Sequence, residues 1–205
     1  MKAVLDVSID EAPLVFLDCE TTGLDAFHGD RVCEFALVRV ENGVVTKSFE
    51  TLIDPERQVS LGAYFVNRIS HHMLEGKPRF IEVIPEIMEG VRSAVVVGHN
   101  VSFDLMFLRE EFRRAGITLS FPATIDTLKL ARWMYSFPSF TLSQVATFLG
   151  LAVPAGQPDS DRRPHRAMAD VAILKDVFDA MTAELRQREG ILRIGELIRI
   201  AGHIH

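Results

Sequence analysis

Two carboxylates near the start of the chain have a spacing suited to metal chemistry. Asp18 and Glu20 are separated by one residue and end an apolar run at residues 14–20. Side chains at this spacing project from the same face of a strand, so the two acids repel each other. A divalent cation removes that repulsion, and hard cations such as Mg²⁺ and Mn²⁺ prefer oxygen ligands. We interpret the two acids as a candidate metal site; the alternative is two solvated acids at a strand end.

A second group of polar residues follows an apolar run in the middle of the chain. Residues 98–104 read Gly-His-Asn-Val-Ser-Phe-Asp, which predicts the end of a buried strand and a helix with Asp104 in its first turn. Taken alone, an Asp at that position only complements the helix dipole. His99 and Asn100 add polar groups at the end of the strand, and a structural helix start does not require them.

A third group lies late in the chain, where His165 precedes a predicted helix and Asp170 lies on it. Histidine titrates near neutral pH and is a natural general base for a water nucleophile. The alternative for this group alone is a surface histidine and a solvated aspartate. Each group is a modest signal, whereas their order along one chain is specific.

The elements that position these residues are predicted to form an α/β domain. Four strands are expected, with a Glu-Asn-Gly hairpin turn between the second and third: residues 14–20, 33–40, 44–53 and 94–98. Helical spacing is found at residues 62–75, 80–91, 102–115, 123–135, 141–149 and 166–187. This order indicates a mixed β-sheet flanked by helices, with its first strands antiparallel.

The composition indicates a globular protein with an acidic surface. Of the 205 residues, 48% are hydrophobic, and the net charge is −6. We predict one domain at residues 1–188 and a tail at 189–205 that contains a short amphipathic segment. The acidic balance argues against bulk electrostatic coating of nucleic acid, but it permits an enzyme that holds one strand end. With no apolar run long enough to span a bilayer and no signal peptide, we expect a cytoplasmic protein without membrane contact.

Together the three groups resemble the DEDDh exonucleases of the RNase H-like superfamily, close to the proofreading epsilon subunit of bacterial DNA polymerase III. The matching segments are FLDCETTGL at 16–24, VVGHNVSFDLMFL at 96–108 and HRAMAD at 165–170. A related branch has tyrosine where this chain has His165, which places the chain with the histidine branch. The resemblance implies an RNase H-like fold and 3′→5′ exonuclease activity.

The resemblance also implies a two-metal mechanism that releases nucleoside 5′-monophosphates. Two Mg²⁺ or Mn²⁺ ions would be held by four carboxylates, those of Asp18, Glu20, Asp104 and Asp170. His165 would take the proton from the attacking water.

Seven further residues are predicted to bind the substrate. The turn after the first acids offers hydroxyls and free backbone to a sugar or terminal base, and an aromatic ring can stack on bases without reading sequence. The predicted residues are Thr21, Thr22, Gly23, Leu24, His99, Asn100 and Phe103.

Three functions remain open at the level of sequence. We favour an exonuclease acting on single-stranded DNA 3′ ends, in proofreading or repair. An RNA 3′→5′ exonuclease, similar to oligoribonuclease or RNase T, has the same catalytic residues, and only a contact to the 2′-hydroxyl would distinguish it. A non-catalytic nucleic-acid-binding domain is the alternative outside enzymes. A polymerase or other protein partner is also considered.

Overall fold

A mixed β-sheet forms the centre of the computed structural model, which describes residues 5–153 and 166–205. Within these residues the sheet has six strands in the order β3-β2-β1-β4-β5-β6. Their bounds are β1 Leu14–Thr21, β2 Val32–Glu41, β3 Val44–Leu52, β4 Val95–Gly98, β5 Ala123–Asp126 and β6 Gly202–Ile204. β1, β2 and β3 pair antiparallel, β1, β4 and β5 pair parallel, and β6 returns antiparallel to β5. The predicted fold class, with antiparallel first strands, is confirmed.

Helices cover both faces of this sheet. Their bounds are α1 Leu61–Asn67, α2 His71–Leu74, α3 Phe80–Val91, α4 Val101–Arg114, α5 Thr127–Met134, α6 Leu142–Phe148, α7 Ala167–Glu189 and α8 Ile194–Ala201. α3 and α4 pack on one face, and α5 to α8 pack on the other. None of the helices in the described ranges is both long and apolar enough to cross a bilayer.

The alternating side chains of β1 separate two hydrophobic cores. Leu14 and Phe16 lie in the core shared with α7, whereas Val15, Leu17 and Cys19 lie in the core shared with α3 and α4. Phe16 meets Phe178 of α7 edge to face, with 5.4 Å between ring centroids. Such a contact contributes about 0.5–1.5 kcal/mol beyond the burial of its surface. The position of α7 over β1 is therefore set by apolar packing.

Two predicted helices differ from the structure. The segment 62–75 forms two short helices rather than one, and 123–135 begins with strand β5 before helix α5 starts at Thr127. The four residues of β5 are all buried, and an apolar run this short cannot be told from a buried helical segment by periodicity. Asp126 caps α5 by accepting a hydrogen bond from the Leu128 N–H at 3.0 Å.

The predicted amphipathic segment of the tail corresponds to helix α8. Its buried residues Ile194, Leu197 and Ile198 belong to the same core as Phe16 and α7. The strand β6 that follows pairs with β5. The segment beyond residue 188 thus shares its core with the rest of the domain, and the apolar face of α8 is used inside the fold.

Candidate active site

Three carboxylates meet where β1 ends. Asp18 and Glu20 continue the alternation of Leu14 and Phe16, so their side chains point toward the layer that contains α7. Asp170 lies in the first turn of α7. One carboxylate oxygen from each of Asp18, Glu20 and Asp170 lies within 4.8 Å of the other two. The alternation of the strand and the packing of α7 together produce this acid cluster.

Asp104 reaches the same strand from the opposite layer. It lies in the first turn of α4, only 4% of its surface is exposed, and its Oδ1 accepts a hydrogen bond of 2.9 Å from the Cys19 N–H. Cys19 is the residue between Asp18 and Glu20. The fourth predicted carboxylate is therefore fixed to the backbone of the strand that carries the first two.

The site disfavours the ionised form of its acids. Burial raises the pKa of Asp18 well above its usual value, and the carboxylates of Asp104, Glu20 and Asp170 raise it further. Burial likewise raises the pKa of Glu20, followed by the charge of Asp170. For Asp104, burial raises the pKa to about 7 although the Cys19 N–H opposes the shift. Bringing these groups together is costly without a positive charge between them.

The donor set fits a hard divalent cation. Mg²⁺ binds oxygen ligands at about 2.1 Å in octahedral geometry, so ligand atoms on opposite sides of the ion are about 4.2 Å apart. The acid cluster places its oxygens within 4.8 Å of one another, and carboxylates are the ligands that Mg²⁺ and Mn²⁺ prefer. Asp18, Glu20 and Asp170 can hold such an ion, with Asp104 adjacent. His165, the predicted general base, lies outside the described residues.

A cavity of about 680 Å³ opens beside Glu20. Four of the predicted substrate-binding residues line it, namely Thr21, Gly23, Leu24 and Phe103. The Leu24 side chain is 80% exposed. The volume lies within the range of about 300–1,000 Å³ that is usual for small-ligand sites. The turn after β1 and the start of α4 thus form a partly apolar recess next to the acids.

The other three predicted substrate-binding residues are absent from the residues that line this cavity. Thr22 is buried, and its hydroxyl donates to Asp30 Oδ1 at 3.0 Å. The His99 ring nitrogens contact Thr127 Oγ1 at 2.9 Å and the Phe140 carbonyl at 2.7 Å, and burial lowers the pKa of His99. Asn100 is exposed in the left-handed region at φ 63° and donates its N–H to Asp126. Their substrate contacts stay a prediction.

Helix α1 supplies one wall of the cavity, and the sequence reasoning missed it. The lining residues from this part of the chain are Ser60, Gly62, Ala63, Val66 and Asn67. Asn67 is 3% exposed, hydrogen-bonds Glu20, and donates its amide N–H to the Thr21 carbonyl at 3.3 Å. The only local signal in this segment is a short helix that Ser60 caps and that ends at Asn67. This pattern does not reveal that the Asn67 side chain lies beside Glu20 in the folded protein.

The structure places an acid cluster at the carboxyl end of an inner strand, beside a recess and on a mixed sheet with helices on both faces. This arrangement suits hydrolysis of a phosphodiester with the help of divalent cations. The comparisons with known proteins agree. The RNase T family model, described as "Exonuclease", matches residues 15–178. This chain belongs to the RNase T exonuclease family.

Individual relatives are consistent with that assignment. The chain is 33% identical over 173 residues to the DNA polymerase III subunit epsilon of Rickettsia typhi, covering 82% of this chain and 73% of the relative. It is 33% identical over 193 residues to the PolC-type DNA polymerase III of Thermotoga petrophila, covering 94% of this chain but only 13% of that polymerase. The structure of exonuclease X in complex with 5′ overhanging duplex DNA matches with a TM-score of 0.65 and 26% identity, over 90% of this chain and 98% of that one.

Proposed function

We propose that this protein is a metal-dependent exonuclease that removes nucleotides from the 3′ end of single-stranded DNA. The observation that carries the proposal is the acid cluster, which brings Asp18, Glu20 and Asp170 within 4.8 Å of one another beside a nucleotide-sized recess. The DNA-bound relative and the polymerase subunits support DNA as the substrate.

The chain's residues have distinct roles in the proposed reaction. Bound divalent cations would supply positive charge against the phosphate oxygens and lower the pKa of the attacking water. The acid cluster and Asp104 hold that charge at the end of β1. His165 accepts the proton from the water as general base. The product of each cycle is a nucleoside 5′-monophosphate.

The recess next to Glu20 would receive the terminal nucleotide. Leu24 and Phe103 offer apolar surface to the base, and such contacts do not read sequence. Asn67 fixes the Thr21 carbonyl and Glu20 at the edge of the recess. The wall from α1 and the turn after β1 would hold the terminal nucleotide beside the carboxylates.

Product analysis on labelled oligonucleotides tests the proposal. Single-stranded DNA and RNA of one sequence, labelled at either end, are incubated with Mg²⁺ or Mn²⁺, with EDTA and with the Asp18→Ala variant. We expect stepwise shortening from the 3′ end that EDTA and the substitution abolish, with DNA degraded faster. Asp179→Asn, an exposed acid on the same helix as Asp170, serves as the matched control and keeps full activity. Faster degradation of RNA would establish the RNA alternative, and cleavage of neither strand would overturn the proposal.

A further inference from the structure

A buried ion pair lies directly behind the acid cluster. The Arg166 guanidinium donates to Glu34 from Nη2 at 2.7 Å and from Nε at 2.9 Å. The side chain of Glu34 is fully buried and that of Arg166 is 11% exposed. The other oxygen of Glu34 accepts the Ala167 N–H at 3.0 Å. Glu34 thus binds both the side chain that precedes α7 and the first N–H of that helix.

This ion pair links the start of α7 to β2, the strand that pairs with β1 beside the acid cluster. Glu34 lies on β2 directly opposite Glu20 of β1. Arg166 is the N-cap residue of α7, and its carbonyl accepts the Asp170 N–H at 3.0 Å. The path from Glu20 to Asp170 therefore runs through one strand pairing, one ion pair in which two guanidinium nitrogens meet the same carboxylate, and one helical turn.

Stability alone is a weak reason for this arrangement. Removing two charges from water costs several kcal/mol per ion, and apolar residues of the same volume often replace buried ion pairs without loss of stability. An uncompensated Glu34 would also add a further negative charge near Glu20 and Asp18. A guanidinium that donates from two nitrogens offsets that charge and fixes the direction of both side chains, which a lysine does less well.

We propose that Glu34 and Arg166 are positioning residues that hold the first turn of α7, and with it Asp170, at the correct distance from Asp18 and Glu20. The proposal rests on the metal-dependent mechanism proposed above. Neither residue needs to contact the substrate; each acts through the placement of a carboxylate.

A second buried Arg–Glu pair provides a matched control. Arg31 donates to Glu111 from Nε at 2.7 Å and from Nη2 at 2.9 Å, and the Val32 N–H donates to the same carboxylate at 3.2 Å. The Glu111 side chain is 2% exposed. The chemistry matches that of Glu34 and Arg166, but Glu111 lies about two turns along α4 from Asp104. Its loss should affect folding stability without moving the acid cluster.

The experiment compares Glu34→Gln, Arg166→Met and Arg166→Lys with Glu111→Gln in the full chain. Melting temperature, Mn²⁺ binding by calorimetry, and kcat and KM on a single-stranded DNA oligonucleotide are measured for each. We expect Glu34→Gln and Arg166→Met to weaken Mn²⁺ binding and to lower kcat by about 10- to 100-fold each, with KM little changed. Arg166→Lys should restore part of both, and Glu111→Gln should keep both within about twofold of wild type.

Two results would overturn the positioning role. One is wild-type Mn²⁺ affinity and kcat in Glu34→Gln and Arg166→Met, with only the melting temperature lowered as in Glu111→Gln. The other is an equal loss of kcat in Glu111→Gln, which would reveal general destabilisation. Failure of the proposed mechanism is distinguishable, because wild-type protein would then bind no Mn²⁺ and would either cleave neither strand or remain active in EDTA. If Arg166→Met fails to fold, Arg166→Lys still decides by its Mn²⁺ affinity and kcat.

Discussion

The two faces of the sheet supply acids to the active site in different ways. On the face toward α7, Asp18, Glu20 and Asp170 are pressed together within 4.8 Å, and their charges oppose one another. On the face toward α4, Asp104 is held by the Cys19 N–H. The first arrangement adds mutual repulsion to the cost of burial, whereas in the second a backbone hydrogen bond opposes that cost. Identical side chains thus carry different free-energy costs on the two faces.

The largest effect on kcat is expected from a substitution in the acid cluster, on the face toward α7. Asp18→Asn removes a charge from the acid cluster, so we expect kcat to fall by on the order of 10²- to 10³-fold. The same substitution relieves repulsion and should raise the melting temperature of the metal-free protein, by about 2–4 °C per kcal/mol gained. Steady-state kinetics and thermal melts in EDTA measure both. An inactive variant with a lower melting temperature would contradict the idea that repulsion among these carboxylates destabilises the metal-free protein.

A smaller effect is expected on the face toward α4. Asparagine at position 104 keeps an oxygen that can accept the Cys19 N–H, so Asp104→Asn should preserve the fold while lowering kcat by about 10- to 100-fold. Its melting temperature in EDTA should rise less than that of Asp18→Asn. Parallel kinetics and melts of the two variants make the comparison. Equal gains in melting temperature would show that the Cys19 contact does not distinguish Asp104 from the acid cluster.

The smallest effect concerns the pH dependence of folding stability. The pKa values of Asp18, Glu20 and Asp104 are raised in the folded protein, so the native state binds more protons than the unfolded chain above the usual carboxyl range. Stability of the metal-free protein should therefore decline as the pH rises from about 4 to about 7, where Asp104 titrates. Melting temperatures in EDTA between pH 5 and pH 8 check this.

Two controls sharpen that pH experiment. Asp18→Asn should flatten the profile because it removes one of the groups whose pKa is raised. Excess Mn²⁺ should raise the melting temperature at pH 8. At a hundred times its Kd, the ion adds about 2.7 kcal/mol to the free energy of unfolding. A metal-free profile that rises toward pH 8 would contradict the direction of the pKa shifts.

The sequence predicted the positions of the catalytic carboxylates better than the residues that hold them in place. Strand alternation put Asp18 and Glu20 on one face, and helix patterns placed Asp104 in a first turn and Asp170 on the helix after His165, because these relations are local. The short strand β5 was wrongly predicted as helix, since four buried residues have no diagnostic period.

Other features depend on distant parts of the chain. Asn67 reaches Glu20, and Arg166 pairs with Glu34 across 132 positions. A local pattern contains no information on which distant side chain will be adjacent after folding. The predicted substrate contacts and the role of His165 stay predictions because they depend on the geometry of a complex with substrate.

The alternation of β1 also has a consequence for the kinds of mutation that this gene can accumulate. Because side chains on a strand alternate between faces, inserting or deleting one codon between Leu14 and Asp18 would exchange the two faces for every residue on one side of the change. The carboxylates would then point into the layer of α3 and α4, and Leu17 or Cys19 would point toward α7. Conservative substitutions at the apolar positions of this strand can be tolerated, whereas single-codon length changes should be purged by selection.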